Sequence, residues 1–132
     1  MGLSFRVYQT RNGARVFASG RPIPPKSEFT QYMFRDLHAD KMYEMLCEKQ
    51  NCFRARLTPK PSRINVPKLG RMSFPYSVQD RAALDSWLAV YEAKCADYAT
   101  CRLVAEIGKP FTSSIIQYHD AICRCNEHLP LA

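Results

Sequence analysis

The stretch SFRVYQTRNGARVFAS, residues 4–19, alternates apolar and polar side chains on both sides of an Asn-Gly pair. Alternation with period two is the pattern of a strand with one buried face. Asn12-Gly13 suits a two-residue turn with positive φ, so the stretch predicts a β-hairpin of Ser4 to Thr10 and Ala14 to Ser19.

Working outward, Gly20 to Lys26 contains three prolines and reads as a loop. Ser27 is placed to cap a helix carrying Phe29, Met33 and Leu37, and Asp40 to cap a second carrying Met42, Tyr43, Leu46 and Cys47, which Asn51 ends. Cys52 to Leu57 (CFRARL) alternates again and predicts a third strand, stopped by Pro59 and Pro61 because proline cannot donate to a ladder. Residues 58–75 read as a long, basic, proline-punctuated loop. Ser77, with Asp80 three residues on, forms a capping-box pattern before Leu84, Trp87, Leu88, Tyr91, Cys95 and Tyr98, a helical stripe of core type. Thr100 to Ile107 predicts a fourth strand ended by Gly108 and Pro110, and Ser113 to about Asn126 a last helix. The expected order is β-β-α-α-β-α-β-α: one α+β domain over 1–132, with a four-stranded antiparallel or mixed sheet and helices mainly on one face.

The chain has 132 residues, 46% apolar and 23% charged. This suits a folded domain and excludes a disordered or collagen-like chain. No apolar run approaches the ~20 residues of a membrane span, and the N-terminal segment alternates instead of forming a signal core. The expectation is a cytoplasmic protein with no membrane partner, whose six cysteines are reduced thiols acting as small hydrophobes.

The net charge is +7. Through Pro75 there are 14 Lys/Arg against 5 Asp/Glu, and beyond it 5 against 7. A cationic half of this kind raises the local concentration of anionic partners. If strand residues are sorted by alternation, Phe5, Val7, Val16, Ala18, Phe53, Ala55, Leu57, Cys101, Leu103, Ala105 and Ile107 form an apolar face for the helices. The opposite face then holds Arg6, Tyr8, Arg15, Phe17, Arg54, Arg56, Arg102 and Val104, with Glu106 as its one acid. Arginines that fork phosphates, interleaved with aromatics that stack on bases, suit single-stranded nucleic acid. Arg54, Arg56, Thr58, Lys60 and Arg63, extended by Lys68 and Arg71, crowd cations and a hydroxyl at a strand exit whose prolines preset the backbone.

Tyr8-x-Thr10-x-x-Gly13-x-Arg15-Val16-Phe17, then Cys52 to Pro61 (CFRARLTPKP) and Tyr98-Ala99-Thr100-Cys101-Arg102, resemble a family of small uncharacterised bacterial proteins over most of the chain. The hairpin and the RxRxTPKP segment also resemble the nucleotide-handling parts of primase-polymerase palms of the archaeo-eukaryotic type. That resemblance implies basic residues facing phosphates. The paired acids that hold divalent metals in such palms have no counterpart here, since Glu106 stands alone, so phosphate binding is implied and polymerisation is not.

His119-x-x-x-Cys123-x-Cys125-x-x-His128 offers four possible zinc ligands. On one continuous helix Cys125 would point about 200° away from Cys123, so no metal site is expected. His38 beside Asp40 and His119 beside Asp120 come with no nucleophile elbow or glycine-rich phosphate loop, and no catalytic residue or cofactor is expected. The reading is a non-enzymatic module for single-stranded RNA or DNA. The alternatives are a nucleotide-processing enzyme, or an adaptor docking an acidic protein partner in a phage or defence complex.

Overall fold

The computed structural model describes residues 2–132. Its elements are β1 (Ser4–Thr10), β2 (Gly13–Ser19), α1 (Glu28–Asp36), α2 (Lys41–Gln50), a short 3-10 turn (Pro61–Arg63), α3 (Val78–Cys95), β3 (Cys101–Ile107) and α4 (Ser114–Cys123). The class is α+β, with a three-stranded antiparallel sheet in the order β2-β1-β3. No helix among the described residues is long and apolar enough to cross a membrane.

The helix starts follow the capping residues. Ser27, Asp40, Ser77 and Ser113 each accept a hydrogen bond from a backbone N–H in the first turn, and Ser77 and Asp80 complete a reciprocal capping box. Ser77→Ala is expected to cost about 1 kcal/mol of stability, as for other lost caps, read as a lower urea midpoint at unchanged slope. Asn51 closes α2 in the left-handed conformation (φ 51°), with the Cys52 N–H on the Cys47 carbonyl.

Four expectations are overturned. Cys52 to Leu57 is not a strand, because its polar groups are used singly and not in a ladder. The Arg54 N–H donates to the Tyr43 hydroxyl, and the Leu57 carbonyl accepts from the Thr100 hydroxyl at 2.8 Å. The C-terminal segment takes the groups at the start of β3 instead. Thr100 and Leu103 donate to the carbonyls of Cys123 and Cys125, and Ala99 donates to Pro130 and bridges to Leu131. The hairpin forms, but its turn residues are Arg11 and Asn12, and Gly13 already belongs to β2 with no positive φ and open space around a Cβ. The last helix ends at Cys123, not near Asn126, because Arg124 turns left-handed (φ 57°). Within the second unit, which holds most of the sheet, α3 and α4 do not pack together on the sheet: the α3 stripe of Trp87, Tyr91 and Cys95, with Tyr98, packs against Ile64, Val66 and Ala132, while α4 carries Cys123 into the sheet cluster.

The chain divides into two compact units. One comprises Ser19–Ala55 with Gly2 and Leu3; in it Phe34 is buried, edge-on to Tyr43 and Phe53, and Cys47 is buried. The other comprises Ser4–Ala18 and Arg56–Ala132, and holds most of the sheet, α3, α4 and the basic loop. Its main cluster is Tyr8, Cys101, Cys123 and Cys125, flanked by Phe17, Leu57 and Leu103.

Candidate functional site

The polar centre of the second unit starts from a register shift. In the β1–β3 ladder Val7 faces Ala105 but Tyr8 faces Leu103, so Val104 is an extra residue. One inserted residue exchanges the faces of a strand beyond it. Before the shift Arg6 lies directly opposite Glu106; beyond it Tyr8 shares a face with Leu103 and Cys101.

On that face α4 covers the arginine and the tyrosine expected to be open to ligand. Tyr8 is fully buried and Arg6 is 8% exposed. The Arg6 Nε donates to the Tyr8 hydroxyl at 2.8 Å, and that hydroxyl donates to Asp120 Oδ1 at 2.8 Å. The two Arg6 Nη atoms reach Glu106 Oε1 at 2.5 Å and Asp120 Oδ2 at 2.6 Å. Burial and the Asp120 carboxylate push the Tyr8 hydroxyl well above its ordinary pKa, outweighing Arg6. Burial works against the Arg6 charge, yet Tyr8 and the two carboxylates more than offset it. Asp120 and Glu106 do approach each other across the fold, but both are held by this one guanidinium.

Beside this network lies a cluster of thiols around an imidazole. The His119 Nδ1 donates to Asp120 Oδ1 at 2.9 Å, which leaves Nε2 with a bare lone pair. Nε2 points toward the Arg15 Nη1 at 2.7 Å and the Cys101 Sγ at 3.9 Å. Cys101 Sγ is 3.5 Å from Cys125 Sγ, and the sulfurs of Cys101, Cys123 and Cys125 lie within 4.8 Å of one another. All four residues are buried, and all six cysteines of the chain are free. Hydrogen bonds from Cys101 and Cys125 favour the Cys123 thiolate and draw its pKa far down, while hydrogen bonds to Cys101 and Cys123 push Cys125 up. Burial opposes a charge on His119, although Cys101, Cys123 and Asp120 draw its pKa up. The Arg15 cation against Nε2 excludes a proton there, so in this arrangement the ring is the neutral Nδ1–H tautomer.

The convergence follows from the end of α4. With Arg124 left-handed, the Cys125 N–H bonds back to the Asp120 carbonyl and the Arg124 N–H to that of Ala121, a Schellman turn. Cys125 is thereby folded back beside Cys123, where a longer helix would have turned it away. The partner missing from the sequence pattern was Cys101, 22 residues before Cys123, and His128 is exposed and takes no part.

The other sequence-derived candidates divide between interior and surface. Phe17 is half-buried, edge-on to Tyr8 and His119. Arg15 is half-buried against the thiol cluster. Arg102 donates through Nη2 to the Leu129 carbonyl at 2.8 Å, and its buried Nε has no partner. These side chains, with Arg6 and Tyr8, are committed to packing, which corrects their assignment to an open binding face. Arg54 is exposed but belongs to the first unit.

Arg56, Lys60, Lys68 and Arg71 are exposed and Arg63 is half-buried; among the described residues none of them has an ion-pair partner. The loop carrying them is pinned. Ile64 and Val66 are buried, the Trp87 Nε1 donates to the Pro67 carbonyl at 2.7 Å, and the Tyr91 hydroxyl donates to the Pro59 carbonyl at 2.7 Å and lies 3.0 Å from the Thr58 hydroxyl. Arg11, from the hairpin turn, donates to the Arg63 carbonyl at 3.2 Å. Two aromatics that alternation and charge did not single out stand at the end of this loop: Phe74 is 86% exposed and Tyr76 41%, their rings edge-on with centroids 5.9 Å apart. Their position either side of Pro75, directly after the cations, was the available signal.

Comparison with known family descriptions, curated proteins and solved structures finds no match to this chain.

Proposed function

We propose that this chain binds single-stranded nucleic acid, without turnover, through residues 56–76. The observation that carries the reading is a loop whose cations Arg56, Lys60, Lys68 and Arg71 are exposed and unpaired while its backbone is fixed by buried Ile64 and Val66 and by Trp87 and Tyr91. Exposed cations without an ion-pair partner are free to take phosphates, and a loop already ordered loses less entropy on binding. Phe74 and Tyr76 take the stacking role that strand alternation alone assigns to Tyr8 and Phe17. Accessible rings next to cations favour unpaired bases over duplex, where the bases are stacked on one another.

Binding should fall steeply with salt. Arg56→Gln, Lys60→Gln, Arg63→Gln and Arg71→Gln should each reduce the magnitude of the log–log salt slope by roughly 0.7 for each phosphate that a single strand no longer has neutralised. Phe74→Ala and Tyr76→Ala should each weaken binding by roughly 1–3 kcal/mol with the slope nearly intact, because stacking releases no counterions. Fluorescence anisotropy of a labelled single strand against salt measures both. Folded protein that binds no single-stranded RNA or DNA at low salt, where the electrostatic attraction is strongest, would end this reading.

A further inference from the structure

We propose that Cys101, His119, Cys123 and Cys125 together hold a zinc ion, with Asp120 as the positioning residue behind the histidine. Tetrahedral zinc with Zn–S of about 2.3 Å and Zn–N of about 2.0–2.1 Å sets neighbouring ligand atoms about 3.5–3.8 Å apart. The 3.5 Å between Cys101 and Cys125 sulfurs and the 3.9 Å from Cys101 Sγ to His119 Nε2 fit that shell, and Cys123 Sγ lies within 4.8 Å of both other sulfurs. The three thiols lie together, and the imidazole nitrogen 3.9 Å from one of them would close a four-ligand set of the structural kind; sulfur donors select zinc over calcium or magnesium.

Three features prepare the cluster for a metal beyond mere proximity. The Asp120 carboxylate fixes the Nδ1–H tautomer, so the bare Nε2 is aimed toward the sulfurs, the usual support for a metal-bound histidine. The backbone is clamped around the ligands, since Thr100 and Leu103, flanking Cys101, donate to the carbonyls of Cys123 and Cys125. Charge also balances. Zinc held by three thiolates and a neutral imidazole is a −1 centre, any thiol protons still present going to solvent, and against it stands the Arg15 guanidinium, with Nη1 3.6 Å from Cys101 Sγ and 3.7 Å from Cys123 Sγ. Arg15 also fills the opening at Nε2, and it is this interaction that the metal replaces.

The metal would tie the start of β3 to the end of α4, and it does not depend on the nucleic-acid reading, because its test contains no nucleic acid. Native mass spectrometry and elemental analysis of the purified full chain should find one zinc per chain, removed by a strong chelator and restored by Zn2+ alone. Apo-protein titrated with Co2+ should give the visible absorption of a tetrahedral cobalt–thiolate centre, saturating at one equivalent. Cys101→Ser and Cys125→Ser should weaken or abolish that absorption, Asp120→Asn should weaken metal binding by about 10–100-fold, and Cys52→Ser and Cys95→Ser should leave the stoichiometry unchanged. The proposal is overturned if the folded chain takes up no stoichiometric zinc, if Cys101→Ser binds as tightly as the parent, or if the non-reduced chain is two hydrogens light through a Cys101–Cys125 bridge. Should a ligand variant fail to fold, the cobalt spectrum of the parent chain decides: a tetrahedral thiolate spectrum supports the site, and its absence overturns it.

Discussion

Tyr8→Ala is expected to lower the unfolding free energy by about 3–5 kcal/mol, the range for truncating a large buried ring. Tyr8 has no exposed surface and packs edge-on to Phe17 and His119, at centroid distances of 5.4 and 4.9 Å, so nothing nearby can collapse into the space without disturbing the thiol cluster. Tyr8→Phe separates the polar part of the effect. It keeps the ring but leaves the Arg6 Nε without an acceptor and Asp120 Oδ1 without one donor, at about 1–3 kcal/mol for an unsatisfied buried group. Urea denaturation followed by circular dichroism measures both. A Tyr8→Ala chain of unchanged stability that had lost oligonucleotide affinity would instead place the ring at the nucleic-acid surface.

The second large effect belongs to Arg6. Arg6→Met should cost about 3–5 kcal/mol, the range for removing one partner of a buried ion pair, because the loss arises mainly from the charge left behind. That charge is chiefly on Asp120, whose side chain is 13% exposed; Glu106, at 41%, can recover water. Adding Asp120→Asn to Arg6→Met should therefore restore more stability than adding Glu106→Gln, with the coupling read from double-mutant cycles. The exposed pair Arg35–Asp36, at 3.7 Å with both side chains mostly in water, is the internal control, and its disruption should cost about 0–1 kcal/mol. Equal rescue by Asp120→Asn and Glu106→Gln would refute the ranking by burial. The two acids also bear on the enzyme alternative: each already carries a guanidinium at 2.5–2.6 Å, so a cation between them would have to displace Arg6.

Much of the fold was legible in local sequence. Alternation marked both hairpin strands and β3, and four short polar residues marked all four helix starts, because strand period and N-capping depend on a few adjacent residues and little else. The prolines and charges of residues 58–75 likewise announced an irregular basic loop. What only the tertiary structure decided were the features that one residue or one distant partner controls. CFRARL had the alternation of a strand, but the C-terminal segment occupied the start of β3 and left it without a ladder. A single extra residue, Val104, changed which β3 side chains share a face with Tyr8, and α4 covered that face, so that Arg6 and Tyr8 lie in the interior where alternation suggested an open surface. Alternation gives the period of each strand but not its phase relative to a neighbour, and that phase is a long-range property. The thiol cluster escaped for the same reason at two scales. Its fourth member, Cys101, lies on another element, and Arg124, whose type gives no warning of a left-handed conformation, ended the helix early enough to fold Cys125 back beside Cys123.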